Sequence, residues 1–326
     1  MVSTQLAQIT KKAELDRKVR FTSLAHLLTP EFLKETWRTI NRHGAGGVDG
    51  ESIEQFESEL ELRVQEICAR LKAGAYRAPP VRRVDIPKGP GKTGTRPLGI
   101  PTVADRLLQK AVARILEAIF EADFCDASYG YRPGRSPHHA LRAQIVTKKG
   151  SYVFEADIRG YFNHVCHSWL QRMVRERIAD PVILSLIGKW LKAGAMQDGV
   201  VVRSEEGTPQ GGPISCVLAN IYLHYTLDCG SRRSSNHSAR ARRTWCASSM
   251  TSCSVSNIWR TQKTFRDSYG RGSQDLTWNW PRRKLGCCSL ADSPPSDAHA
   301  STGGRKHSSF SASNMSAELI AMDVSR

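Results

Sequence analysis

Two short segments carry the residues whose types and spacing are suited to chemistry. Residues 154–162, with the sequence FEADIRGYF, contain Asp157, and carboxylate oxygens are the ligands that hard divalent cations require. Residues 207–215, with the sequence GTPQGGPIS, combine three glycines with Gln210, so that the backbone can approach a ligand closely while the Gln210 amide hydrogen-bonds it. A lone aspartate at the end of a strand is more often a cap or a turn former. The elements around the two segments therefore decide how they are interpreted.

Regular elements are predicted on both sides of these segments. Residues 151–158 alternate in polarity and are rich in β-forming residues, which predicts a strand with Asp157 near its end. The apolar spacing after Pro213 predicts a helix. Residues 81–87 and 96–101 flank a Gly/Pro-rich turn, which predicts a basic β-hairpin.

Two more helices are predicted before the first segment. Thr29 followed by Pro30 is a typical helix start, and the apolar stripe that follows it extends to Ile40. Residues 104–120 place apolar side chains at helical spacing, and the basic residues on the other face, Arg106 and Arg114 among them, are candidate RNA contacts.

Taken together, these segments resemble the group II intron-encoded reverse transcriptases, also called maturases. The resemblance includes residues 44–50 (GAGGVDG), which alone are equally typical of an interhelical turn, and residues 128–136 (SYGYRPGRS), and it extends over residues 30–228. It implies an α+β right-hand polymerase fold with fingers and a partial palm. The corresponding division is an N-terminal extension at 1–28, fingers at 29–150, a partial palm at 151–228 and a largely disordered tail at 229–326.

The resemblance also implies roles for individual residues. Asp157 would be the first metal-binding aspartate and the catalytic residue, with the Ile158 carbonyl as a backbone ligand, and the metal would be Mg²⁺. Phe162 would stack under the sugar of the incoming nucleotide and exclude a 2′-hydroxyl, whereas a buried core aromatic is the alternative. The residues expected to bind nucleotide or template are Lys88, Lys92, Arg96, Arg132, Phe162, Gln210 and Gly211.

The resemblance and the charge together indicate the partners. The net charge of +16 and the pI near 9.7 favour a polyanionic partner, because Lys and Arg neutralise phosphates. The implied activity is RNA-directed DNA synthesis coupled to intron splicing and mobility. Its partners would be group II intron RNA as template, a DNA primer and deoxynucleoside triphosphates. No apolar run approaches the length of a membrane span, so we expect no membrane partner and a cytoplasmic location.

One departure from the family pattern concerns the catalytic centre. Such polymerases need a pair of adjacent aspartates shortly after the second segment, and no Asp-Asp dipeptide occurs in the 326 residues. After Asp228 the composition changes: 21 of the last 98 residues are Ser, apolar periodicity disappears, and 15 Lys and Arg against 6 Asp and Glu leave a charge of +9. A disordered RNA-binding arm is one interpretation, although the four tryptophans of the tail argue against it.

Codon arithmetic suggests a different origin for the tail. Codons for residues 245–251 (WCASSMT), read two bases later, permit Val-Arg-apolar-apolar-Asp-Asp, and Met250 with Thr251 forces the last aspartate. Our hypothesis is that a one-base deletion near codon 229 put the rest of the gene out of frame. We therefore predict that this copy is catalytically inactive. A non-catalytic RNA-binding remnant and a product that never folds stably are the alternatives.

Overall fold

The computed structural model of the chain describes residues 2–87, 93–143, 152–158, 161–203, 206–208, 211–228, 243–247, 251–256, 315–316 and 322–323. These residues belong to two compact units. The first unit combines Met1–Phe124 with Phe162–Tyr222, and the second combines Cys125–Tyr161 with Leu223–Arg326. The predicted α+β class is confirmed. The predicted domains, which end at residues 28, 150 and 228, differ from these two units, and this division stays a prediction.

Most of the described helices lie in the first unit. They are α1 (Val2–Leu15), α2 (Pro30–Trp37), α3 (Ile53–Ser58), α4 (Leu60–Lys72), α5 (Val103–Phe120), α7 (His167–Arg175), α8 (Pro181–Lys192) and α9 (Pro213–Leu223), and α6 (Pro137–Arg142) belongs to the second unit. A π-helical turn, His224–Asp228, follows α9. Helix α5 is the centre of the first unit, since α1, α2, α3 and α4 all pack on it. Its apolar residues, such as Leu107, Val112 and Ile115, are fully buried, as their spacing predicts.

Side-chain caps fix where several of these helices begin. The Thr29 hydroxyl accepts the Phe32 N–H at 3.3 Å, which confirms the predicted start of α2. Helix α2 ends at Trp37, so Ile40 lies in the turn after the helix, where its side chain is buried. The Asp180 carboxylate accepts from Val182 and Ile183 in its own helix and from Leu24 and Ala25, distant in sequence, at 2.6–3.1 Å. One carboxylate thus satisfies four backbone N–H groups.

A four-stranded sheet lies in the first unit. Its strands are β1 (Val81–Pro87), β2 (Thr95–Ile100), β4 (Ala195–Gln197) and β5 (Val200–Val202), in the order β2-β1-β4-β5. Strands β1 and β2 are antiparallel, with Ile86 opposite Arg96, which confirms the predicted basic hairpin. Strand β5 lies at the edge of the described sheet with Val200, Val201 and Val202 exposed.

The second unit contains a sheet centred on β3 (Tyr152–Ile158), the strand predicted to carry Asp157. Strand β3 pairs antiparallel with β7 (Thr251–Ser256), β8 (Met315–Ser316) and β9 (Met322–Asp323), and β7 pairs with β6 (Arg243–Ala247). The sequence predicts a largely disordered tail, and the structure describes these short strands in it. The other residues after 228 lie outside the described residues.

Two buried polar clusters hold the first unit together. The Arg177 guanidinium is 2% exposed and donates to the carbonyls of Ala13, Asp16 and Val19 and to the Asp123 carboxylate. It therefore joins the end of α1, the segment after α1, and the end of α5. Burial raises the pKa of Asp123, although the guanidinium opposes this.

The second cluster is a chain of hydrogen bonds. The Trp190 indole N–H donates to the Tyr76 hydroxyl at 2.7 Å, and that hydroxyl donates to the Asp105 carboxylate at 2.6 Å. Burial raises the pKa of Asp105 to about 7, and it also raises the pKa of Tyr76. Among the described residues no helix has both the length and the apolar character needed to cross a bilayer.

Candidate active site

Asp157 occupies the second-to-last position of β3, where the sequence predicts it. Strand pairing fixes its neighbours on both sides: Thr251 of β7 and Ser316 of β8 stand directly opposite Asp157. Ile158, the predicted backbone ligand, is opposite Met315. The two residues in register with the candidate catalytic aspartate therefore carry hydroxyl groups and no carboxylate.

This set of donors does not fit a centre with two magnesium ions. Mg²⁺ is usually bound through one or two carboxylates, and two such ions together need more than one. Within the described ranges, no group of three His, Cys, Asp or Glu residues could hold a metal ion. Among the described residues, those in register with Asp157 therefore add no second carboxylate to the predicted metal site.

The glycine-rich segment is supported by close backbone contacts within the first unit. Gly207 has a φ of +88°, and a Cβ there would lie 2.8 Å from the Phe162 carbonyl oxygen. The neighbouring Thr208 N–H donates to that oxygen at 2.7 Å. Gly211 has a φ of +120°, and a Cβ there would lie 2.5 Å from the Gly99 carbonyl oxygen of β2. Close contacts with the protein's own backbone therefore require glycine at these two positions. From the sequence alone, the glycines are expected to allow close approach of a ligand.

Three of the predicted binding residues lie on elements that contact, or belong to, the glycine-rich segment. Half-buried Phe162 contacts the start of the glycine-rich segment through its carbonyl, and Gly211 contacts the hairpin strand that carries Arg96. The Arg96 residue is exposed, as a phosphate contact requires. Lys88, Lys92 and Gln210 lie outside the described residues.

Arg132 differs from the other predicted binding residues because it is 5% exposed. Its Nη1 donates to the Cys125 and Ser128 carbonyls at 2.7 and 2.6 Å, within the second unit. This geometry gives Arg132 a structural role in closing the loop before α6. A direct contact between Arg132 and the template stays a prediction.

The comparison with known protein families identifies the group to which these motifs belong. Residues 86–237 match the family described as reverse transcriptase (RNA-dependent DNA polymerase). The match begins at the end of β1 and includes β2, β3 and the glycine-rich segment. This segment of the chain, residues 86–237, is a reverse transcriptase domain. Its curated relatives include group II intron-encoded proteins and maturases, which confirms the resemblance to that branch of the family.

Two curated relatives show how much of their length this chain covers. Protein YkfC of Escherichia coli is 39% identical over 234 residues, which are 69% of this chain and 61% of that protein. The group II intron-encoded protein LtrA of Lactococcus lactis is 38% identical over 221 residues, which are 67% of this chain and 37% of LtrA. The chain thus spans about three fifths or less of these relatives. Among solved structures, a chain of the partial Cas6-RT-Cas1–Cas2 complex is 23% identical, with a TM-score of 0.42, and the match covers 70% of this chain and 37% of that chain.

Several supporting residues of the reverse transcriptase motifs could not be found from the sequence. His167 donates its Nε2–H to the Gly207 carbonyl at 2.5 Å, and it thereby holds the glycine-rich segment from the start of α7. Arg106 donates to the Ala45 carbonyl at 2.6 Å and so fixes the 44–50 loop, where Gly47 lies against the backbone of Thr102. The only signal for His167 is its position shortly after the aspartate segment.

The basic face of α5 serves the protein itself. Arg114 donates to the Thr36 hydroxyl at 2.8 Å and to the Glu35 carboxylate at 2.6 Å, and its guanidinium lies 4.8 Å from the centroid of the Phe32 ring. Arg106 is bound to the 44–50 loop. The expected RNA contact from these arginines is therefore replaced by contacts within the first unit.

Proposed function

We propose that this chain is a non-polymerising member of the group II intron reverse transcriptases that retains RNA binding. The family activity is RNA-directed DNA synthesis coupled to assistance of intron splicing and mobility. The proposal rests on one observation: both residues in register with Asp157 carry hydroxyl groups, at the place where the reaction needs a second carboxylate.

The shifted reading frame agrees with this register. The aspartate that Met250 and Thr251 force in the shifted frame takes two of its three bases from codon 251. Thr251 is also the β7 residue opposite Asp157. A one-base loss near codon 229 would therefore have replaced a carboxylate at the position that pairs with Asp157, which supports the frameshift hypothesis. A stop codon in the shifted frame before this position would exclude it.

Primer extension tests the catalytic part of the proposal. The full chain is incubated with homopolymer RNA, oligo-dT, deoxynucleotides and Mg²⁺, beside a version whose gene carries one base inserted at codon 229. Loss of metal-binding groups removes several kcal/mol of transition-state stabilisation, so the unmodified chain is expected to give no incorporation above background. Incorporation by the unmodified chain that disappears in Asp157→Asn would overturn the proposal.

Salt-dependent RNA binding tests the proposal that the chain retains affinity for RNA. The hairpin of β1 and β2 exposes Arg83 and Arg96, and the net charge is strongly positive. Because phosphate neutralisation releases counterions, affinity for RNA is expected to fall linearly on a double-logarithmic plot against NaCl concentration. A chain that folds but shows no RNA affinity at low salt would limit the proposal to a non-functional remnant.

A further inference from the structure

An open groove in the first unit is lined by residues other than those assigned to the candidate active site. It has a volume of about 940 Å³ and runs between the segment after Tyr76, helices α7 and α8, and the end of β5. Its walls include five cations, the basic groove residues: Arg77, Arg175, Lys189, Lys192 and Arg203. Among the described residues that line the groove, none is Asp or Glu.

Among the described residues, the basic groove residues have no counter-charge, whereas several other cations of the first unit do. Elsewhere in this unit Lys34 pairs with Glu61, Arg42 with Glu57, and Arg63 with three glutamates. Within the part of the chain that the structure describes, none of the five groove cations takes part in an ion pair. Five cations around one concave surface concentrate positive potential there, and such a potential attracts a polyanion.

The groove is also firmly built. Helices α7 and α8 approach closely at Gly188, where a Cβ would lie 2.8 Å from the Gln171 side-chain nitrogen. At the rim, the Lys189 ammonium donates to the Tyr76 carbonyl at 2.7 Å and lies 5.6 Å from the centroid of the Tyr76 ring. The other four basic groove residues are exposed. The packed helices thus present several exposed cations on one concave surface.

Apolar surface lies between the cations. Val201 is 42% exposed, and Pro181 and Leu184 also line the groove. A nucleic acid strand offers both kinds of partner, since its phosphates carry charge and its sugars and bases have apolar faces. A small inorganic anion would use the cations and leave this apolar surface exposed.

We propose that the basic groove binds the phosphate backbone of RNA. This inference rests on the proposed RNA-binding function and adds a second contact surface to the β1–β2 hairpin. Phosphate contacts position an RNA without reading its sequence. The groove would therefore hold a structured RNA in a sequence-independent way.

The test compares two double variants of the full chain. Arg175→Gln with Lys192→Gln removes two groove cations, and Arg70→Gln with Lys72→Gln removes two exposed cations of α4 that do not line the groove. Binding of a labelled hairpin RNA is measured by fluorescence anisotropy between about 50 and 200 mM NaCl. The groove variant is expected to bind about tenfold more weakly, with its salt slope reduced by about two, since each phosphate contact contributes about one.

The outcomes separate this inference from the proposed function. If the groove variant binds like the α4 control while Arg83→Gln with Arg96→Gln loses affinity, RNA binds at the hairpin and the groove inference is wrong. If the unmodified chain binds no RNA, both proposals fail. Duplex DNA of the same sequence and unlabelled hairpin RNA are compared as competitors. Displacement of the labelled RNA by DNA at a tenfold lower concentration than by RNA would exclude RNA as the groove's ligand.

Discussion

The glycine-rich segment and the aspartate strand come from the same family of motifs, and they differ in how their surroundings support them. Around the glycine-rich segment, the Phe162 carbonyl, the Gly99 carbonyl and the His167 ring all make close contacts that only this sequence permits. Around Asp157, the paired positions hold Thr251 and Ser316, which supply no second carboxylate. The comparison teaches that packing within the protein can require one motif, while the paired positions of another motif supply no further carboxylate.

The largest effect is expected in the packing of the first unit, which contains the glycine-rich segment. Arg177→Met removes the ion pair of the partly buried Asp123 and one donor from each of three backbone carbonyls. We expect unfolding free energy to fall by about 3–5 kcal/mol, measured by urea denaturation followed by circular dichroism at the helical band. Arg172→Met, an exposed neighbour on α7, is the control and should lose less than about 1 kcal/mol. Equal losses would contradict a structural role for the Arg177 cluster.

A pH-dependent effect of somewhat smaller size is expected at Asp105. Its pKa of about 7 in the folded chain lies above the ordinary 3.8, so the folded state binds more protons than the unfolded state between these values. Stability should therefore fall as pH rises through this window and level off above it.

Asp105→Asn should remove this slope. The amide keeps an acceptor for the Tyr76 hydroxyl. At pH 8 the unfolding free energy of Asp105→Asn should exceed that of the unmodified chain by on the order of 3 kcal/mol. Asp198→Asn, at an exposed turn residue, is the matched control. Parallel stability curves for the unmodified chain and Asp105→Asn would show that the carboxyl is ionised in the folded state.

A pair of glycine substitutions tests whether the glycine-rich segment is held by close backbone packing. Gly211→Ala adds strain at a φ of +120° and a contact 2.5 Å from the Gly99 carbonyl oxygen. Gly199→Ala adds strain at a φ of +77° with open space around the new Cβ. We expect losses of about 2–3 and about 1 kcal/mol respectively, by the same denaturation measurement. A difference near zero would mean that the Gly99 contact relaxes freely.

The smallest effect is expected at the strand that pairs with Asp157. Thr251→Asp places two carboxylates at paired positions, which should destabilise the chain by less than about 1 kcal/mol without Mg²⁺ because like charges repel. Adding Mg²⁺ should reverse the loss, measured as a rise in melting temperature that the unmodified chain and Thr251→Asn do not show. No Mg²⁺ response in Thr251→Asp would argue against the register as the basis of the proposed loss of catalysis.

Local patterns predicted much of the fold. Helix α5, the β1–β2 hairpin and strand β3 follow from periodicity, and Thr29 with Pro30 marks the start of α2 because capping depends on adjacent residues. Asp180 and Arg177 could not be predicted in the same way. Their partners, Leu24 and Asp123, are distant in sequence, and nothing in the neighbouring residues distinguishes Arg177 from the exposed Arg175.

The candidate site was predictable to a similar extent. The position of Asp157 on its strand and the tight glycine backbone follow from sequence motifs. The burial of Arg132 and the use of Arg114 by Glu35 do not, because the basic residues of a nucleic-acid-binding chain look alike until tertiary contacts divide them. Charge predicts a polyanionic ligand, and only the structure separates cations that bind the protein from those that line the groove.

The exposed valines of β5 have a practical consequence for handling the protein. A short edge strand with three apolar side chains offers unpaired backbone groups to another copy, and it lacks the Lys or Pro that commonly prevents such pairing. Concentrated samples should therefore self-associate through this edge. Fluorescence anisotropy titrations should therefore use low-micromolar protein concentrations, at which self-association is small.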